Sequence, residues 1–145
     1  MGYNNVLVAY DGSDSAKDAI AEALAVIEEN QQATLTVLEV ETSDVAAAFG
    51  VESEGEEDVV MNTRQQRLLE TLQQSVAPLI DGYQDRVQVR LVGGKPAKAI
   101  VDFANDNDCD LIVMGCRGLG AVRGMIGSVS NAVLRESKQS VLVIK

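Results

Sequence analysis

Asp110-Leu111-Ile112-Val113-Met114 runs directly into Gly115-Cys116-Arg117-Gly118-Leu119-Gly120-Ala121-Val122-Arg123-Gly124-Met125-Ile126-Gly127-Ser128. The first stretch is wholly apolar after Asp110, as expected of a strand buried on both faces. Five glycines then occupy the thirteen positions from 115 to 127. Glycine lets main-chain N–H groups turn inward and approach a ligand closely. Beyond Gly127-Ser128, the spacing of Val129, Ala132 and Val133 marks a helix. Its first N–H groups have no intrahelical acceptor, and its dipole favours an anion. Buried strand, glycine-rich loop and helix start, in that order, predict one unit of a parallel α/β sheet.

Outward from that unit the pattern repeats. Val6-Leu7-Val8-Ala9-Tyr10 is a short apolar run leading into the turn cluster Asp11-Gly12-Ser13-Asp14-Ser15. Ala16, Ile20, Ala23, Leu24 and Ile27 follow at helical spacing, predicting a helix to about Asn30. Leu35 to Val40 reads as the second strand. Residues 41–58 carry Glu52, Glu54, Glu56, Glu57 and Asp58 without periodicity and read as a solvated loop. From about Val59 a helix places Leu68, Leu69, Leu72, Val76 and Leu79 on one face, with Pro78 ending or bending it. Val87 to Val92 alternates, which suits an edge strand with one wet face. Gly93-Gly94-Lys95-Pro96 turns the chain, Pro96 fits a first helical position, and Ala97, Ile100, Val101 and Ala104 give the next helix. Val141-Leu142-Val143-Ile144 closes as a fifth strand.

The order βαβαβαβαβ predicts one α/β domain over 1–145, a doubly wound five-stranded parallel sheet with helices on both faces. In such sheets ligands bind beyond the carboxyl ends of the strands, where the winding reverses. The two loops richest in glycine and small polar residues follow strands 1 and 4, which are neighbours at the switch in a 3-2-1-4-5 order. A glycine-rich turn with Ser128 as an ordinary helix cap accounts for the residues equally well. In the loop after strand 1, Asp11 is placed to accept from a ribose or base, or to help hold a divalent ion. Helix capping at Ser13 or Asp14 explains that loop without a ligand. Arg117 and Arg123 are the cations of the glycine-rich loop, able to offset phosphate charge or simply solvated.

Composition narrows the function classes. The 145 residues carry 22 acidic and 12 basic side chains, a net charge of −10, and no His. That field disfavours a phosphodiester backbone, so nucleic acid is not an expected partner. Only 3% of residues are aromatic, which leaves little for stacking surfaces. The acidic, Lys-poor composition suits a protein working in concentrated salt, where screening reduces self-repulsion. Cys109 and Cys116 form no CxxC pair, and without His a zinc site lacks half its usual ligands. Reduced thiols and a cytoplasmic location are expected, with no membrane span. The phosphate motif GxxxxGK[ST] is absent, since Pro96 follows Lys95, and no GxGxxG follows strand 1. No nucleophile–base pair is evident, so a binding protein is expected rather than an enzyme, with at most slow turnover.

Taken together, Val6 to Ser13, Asp110 to Gly115, Gly118-Leu119-Gly120, Gly127-Ser128-Val129-Ser130 and Ser140 to Ile144 resemble the universal stress proteins over nearly the whole chain. ATP-binding members carry Gly-x2-Gly-x9-Gly-Ser/Thr. Here Gly115 and Gly118 are separated by two residues, but eight rather than nine precede Gly127-Ser128, a tighter loop. The resemblance implies ATP with Mg²⁺ as ligand. It places Ala9 and Asp11 near base and ribose, and the Val40 backbone at adenine. It places Met114 and Gly115 at the ribose, and Gly118, Gly127, Ser128 and Val129 at the phosphates, where Arg117 would add charge. It also implies a homodimer through Val141, Leu142, Val143 and Ile144, which would cover an apolar terminal strand. A nucleotide-dependent stress sensor is the leading expectation. A dimeric interaction module that holds no ATP is the alternative, and a nucleotidyl transferase is a third.

Overall fold

The computed structural model describes residues 2–42, 56–116 and 126–145. In chain order the elements are strand β1 (Asn5–Ala9), helix α1 (Asp14–Glu28), strand β2 (Thr34–Glu41), helix α2 (Glu56–Val76) and a 3₁₀ turn (Ala77–Leu79). Strand β3 (Val87–Gly93), helix α3 (Pro96–Asp106), strand β4 (Leu111–Gly115), helix α4 (Ser128–Glu136) and strand β5 (Ser140–Ile144) follow. The five strands form one parallel sheet in the order β3-β2-β1-β4-β5, as expected. The switch point therefore lies between β1 and β4, the strands whose loops were singled out.

Alternation along the strands divides the core in two. Val6 and Val8 of β1 and Tyr10 just beyond it, with Leu35 and Val37 of β2, pack under α1 and α2, against Ala16, Ile20, Leu24, Leu72 and Val76. Leu7 of β1, with Ile112 and Met114 of β4, packs on the other face under α3 and α4, against Ile100, Phe103, Ala104 and Val133. Val6, Leu7 and Val8 are all fully buried, which explains why β1 reads as an unbroken apolar run. Each such side chain contributes about 1.5–3 kcal/mol of burial free energy.

Element ends differ from expectation by a few residues. Helix α1 stops at Glu28 rather than near Asn30, because the Asn30 side chain serves the following turn. Its amide donates to Tyr3 O at 3.2 Å and Asn4 Oδ1 at 2.7 Å, while its Oδ1 accepts from Gln32 N at 3.1 Å. The guanidinium of Arg86 then donates to the carbonyls of Ile27, Asn30 and Ala33, satisfying the helix end. Strand β4 begins at Leu111, since Asp110 turns its carboxylate to the N–H groups of Asn4 and Asn5 at 2.9 and 3.0 Å. Helix α2 starts at Glu56, three residues before the expected Val59, and the acid-rich 43–55 lies outside the described residues. Pro78 sits in the 3₁₀ turn that ends α2, and Pro96 opens α3, both as predicted. The alternating strand β3 lies at the sheet edge.

Candidate functional site

The carboxyl ends of β1, β2 and β4 meet the amino end of α4 at the switch point. Ala9 is the last residue of β1, Val40 and Met114 are the penultimate residues of β2 and β4, and Val129 is the second residue of α4. All four belong to one apolar cluster on the α3/α4 face: Met114 buried within it, Ala9, Val40 and Val129 half-buried against it. The sequence placed these residues on four separate elements, and the fold brings them together. Val92 and Ala97, from the end of β3 and the start of α3, join the same cluster. Sequence reading assigned them no role, although their place at a strand end before a helix start was the same signal that marked the other two loops.

The β2 backbone adds polarity to this apolar corner. The ladder between β1 and β2 ends where Tyr10 N–H donates to Leu38 O at 2.9 Å. Donor and acceptor of one strand residue point to the same flank, and the flank alternates along the strand. The N–H and C=O of Val40 therefore point to the β1 side, beyond the end of β1. Glu41 points to the opposite side, where its carbonyl accepts from Gly94 N at 3.2 Å.

The loop after β1 is shaped by side chains. Asp11 Oδ1 accepts from Ser13 N at 2.9 Å, and Gly12 takes φ +85, a left-handed conformation natural to glycine. Ser13 is the N-cap of α1, its Oγ accepting from Ala16 N at 3.2 Å. Capping thus belongs to Ser13, and Asp11, exposed at the mouth of the turn, holds the loop that leads to it. Around it the field is acidic. The Glu39 carboxyl is raised above its ordinary 4.5, first by burial and then by the charges of Glu41 and Asp11. Among the described residues no group of three or more His, Cys, Asp or Glu is arranged to hold a metal ion.

At the other side of the switch, the reading of Ser128 as an ordinary helix cap is corrected. The N-cap of α4 is Gly127, and Ser128 is the first helical residue, with no side-chain cap bond at this helix start. Gly127 N–H donates to Cys116 O at 2.5 Å, so that amide is engaged within the chain. The buried hydroxyl here is that of Ser130, which donates to Gly115 O at 2.7 Å. Its sequence signal was spacing: Ser130 lies three residues before the buried Val133 and so shares its helix face. Gly115, expected at the ribose, is packed against α1, with no room for a side chain beside Ser15. Arg117, Gly118 and Arg123 lie outside the described residues.

Both cysteines are buried and free. Burial and the nearby charges of Asp110 and Asp108 push the Cys109 thiol up to about 11, away from any nucleophilic role at neutral pH. No helix among the described residues is long and apolar enough to cross a membrane. Strand β5 forms the second sheet edge, with Leu142 exposed and Val141 and Val143 half-buried.

Comparison with known proteins agrees with this architecture. The model of the universal stress protein family matches residues 2–145. The chain is 35% identical over 144 residues to a universal stress protein of Thermus aquaticus, covering 99% of each. Among solved structures it is similar to the universal stress protein from Archaeoglobus fulgidus in complex with dAMP. That likeness has 26% identity, 100% of both chains and a TM-score of 0.61. It is also similar to a universal stress protein in complex with cAMP, at 25% identity, covering 100% of this chain and 98% of that one, with a TM-score of 0.66.

Proposed function

The chain belongs to the universal stress protein family, and we propose that within it this protein binds an adenine nucleotide, ATP with Mg²⁺, and serves as a nucleotide-dependent sensor. The observation that carries this is the convergence of Ala9, Val40, Met114 and Val129 into one apolar corner beside the start of α4. Proteins of the same fold solved with dAMP and cAMP support an adenosine ligand.

The chemistry of the corner suits adenine. Val40 offers an N–H and a C=O side by side at a strand flank, which complements the acceptor N1 and donor N6 of adenine. Guanine presents a donor at N1 and an acceptor at O6, the reverse order, and would leave both backbone groups mismatched. Asp11 would accept from the ribose or share Mg²⁺ with the phosphates, since the described residues hold no self-sufficient metal cluster. Gly115 borders the ribose side. The amides of Ser128 and Val129, at the positive end of α4, would face the phosphates. Arg117 and Gly118 would complete that end. Gly127 would contribute close approach, because its own N–H already bonds Cys116.

Pairing of Val141 to Ile144 with the same strand of a second copy would cover the β5 edge in a homodimer. In a cytoplasmic sensor of this kind, occupancy of the site would be the output. A dimeric interaction module holding no ATP is favoured by the engaged Gly127 amide. Calorimetric titration with Mg-ATP, together with mass spectrometry of any small molecule released on denaturation, separates the two. Saturable heat and a released adenine nucleotide support the sensor; neither signal supports the module.

A further inference from the structure

We propose that Ser130 is a positioning residue for the phosphate end of the ligand, closing a clasp across the neck of the glycine-rich loop. This rests on the nucleotide function proposed above. The chain leaves the sheet at Gly115 and Cys116 and returns at Gly127. Two hydrogen bonds span that neck: Gly127 N–H to Cys116 O at 2.5 Å, and Ser130 Oγ to Gly115 O at 2.7 Å. Cys116 N–H in turn donates to Ile144 O at 2.8 Å, which ties the neck to β5.

A serine in the first turn of a helix commonly bonds within its own turn. Ser130 instead reaches from α4 to the last residue of β4. It is only 4% exposed, so its hydroxyl would be an unsatisfied buried group if the bond were lost. The accepting residue cannot drift, because Gly115 is packed against Ser15 of α1. Ser130 thus fixes the start of α4 relative to the ends of β1, β2 and β4. Base and ribose would be held at those strand ends, and phosphates at the α4 amides. The span between the two is set by the Ser130–Gly115 bond, so its loss should weaken phosphate binding and spare adenosine.

Titration of the wild type, Ser130→Ala and Ser130→Thr with Mg-ATP and with adenosine tests this. Hydrogen exchange at the Gly127 amide, read on the same samples, reports the clasp without a ligand. Ser130→Ala should lose about tenfold in ATP affinity with adenosine affinity unchanged, and Gly127 should exchange faster. Ser130→Thr, which keeps the hydroxyl, should recover both. Wild-type binding of ATP that Ser130→Ala leaves intact, or weakens equally for adenosine, overturns the positioning role alone. Failure of the wild type to bind ATP or adenosine removes the nucleotide function itself, and the role of Ser130 with it.

Discussion

Gly115 and Ser15 pack so tightly that a methyl group at Gly115 would lie 2.3 Å from Ser15 Oγ and 2.8 Å from both its Cβ and its carbonyl carbon. Helix α1 therefore rests on the end of β4 through two backbones and one small side chain. Part of the obstruction is main chain, so no rotamer change relieves it. Gly115→Ala should destabilise the fold by about 1–3 kcal/mol, as overpacking does in well-filled cores. Thermal or urea melts would read this. Ser15→Gly in the same chain should restore part of the loss, whereas Ser15→Ala, which keeps Cβ, should restore little. A Gly115→Ala protein as stable as wild type would contradict the packing.

Glu39 carries a pH signature. Burial, then Glu41 and Asp11, raise its carboxyl above the ordinary 4.5. The charged form is thus disfavoured in the folded state, and its cost is present above the raised folded value. As pH falls through that value the folded protein takes up the proton first, so this residue's contribution to stability improves down to about 4.5. Glu39→Gln removes the cost at every pH. The variant should melt higher than wild type near neutrality, and the gap should narrow as pH approaches 4.5. A gap independent of pH would sink the assignment.

The sheet edge at β5 gives a test of assembly. Ile144 O accepts from Cys116 N, so Ile144 and Leu142 point their backbone groups toward β4. Val141 and Val143 therefore point theirs outward. Val143→Pro deletes an outward N–H without touching the β4–β5 ladder. Light scattering should show a dimer for wild type and for Val143→Ala, which controls for lost packing, and a monomer for Val143→Pro. A Val143→Pro protein that stays dimeric would rule out edge-to-edge pairing there.

Net charge makes a further prediction. At −10 overall, the folded chain repels itself, and added salt screens that repulsion. The melting temperature should rise from low to molar KCl. Equal stability in both would remove the case for adaptation to concentrated salt.

Much of the fold was legible because its signals are local and redundant. Short unbroken apolar runs such as Val6 to Val8 and Leu111 to Met114, bounded by turn residues, are the pattern of strands buried on both faces. Pro96 and the turn cluster at Asp11 to Ser13 marked helix starts by residue chemistry alone. The candidate site was legible in its outline, since glycine and small polar residues gather after β1 and β4. What stayed hidden depended on tertiary distance. That Ser130 rather than Ser128 carries the bond at the α4 start follows from where β4 ends relative to the helix. That Gly115 serves packing follows from the approach of α1, which no local pattern encodes. The sharing of Glu39's environment with Asp11 arises only once β1 and β2 lie side by side.

A nucleotide site at the switch point is tested most directly by titrating isotope-labelled protein with Mg-ATP, followed amide by amide in NMR spectra. The amides of Val40, Ser128 and Val129 should shift together and saturate together, while Asn4, Asn5 and Asn107 at the opposite end of the sheet stay still. The same experiment with Mg-GTP should leave Val40 unmoved. Spectra unchanged at saturating ATP, or changes confined to the Asn4–Asn107 end, would contradict a nucleotide site at the switch point.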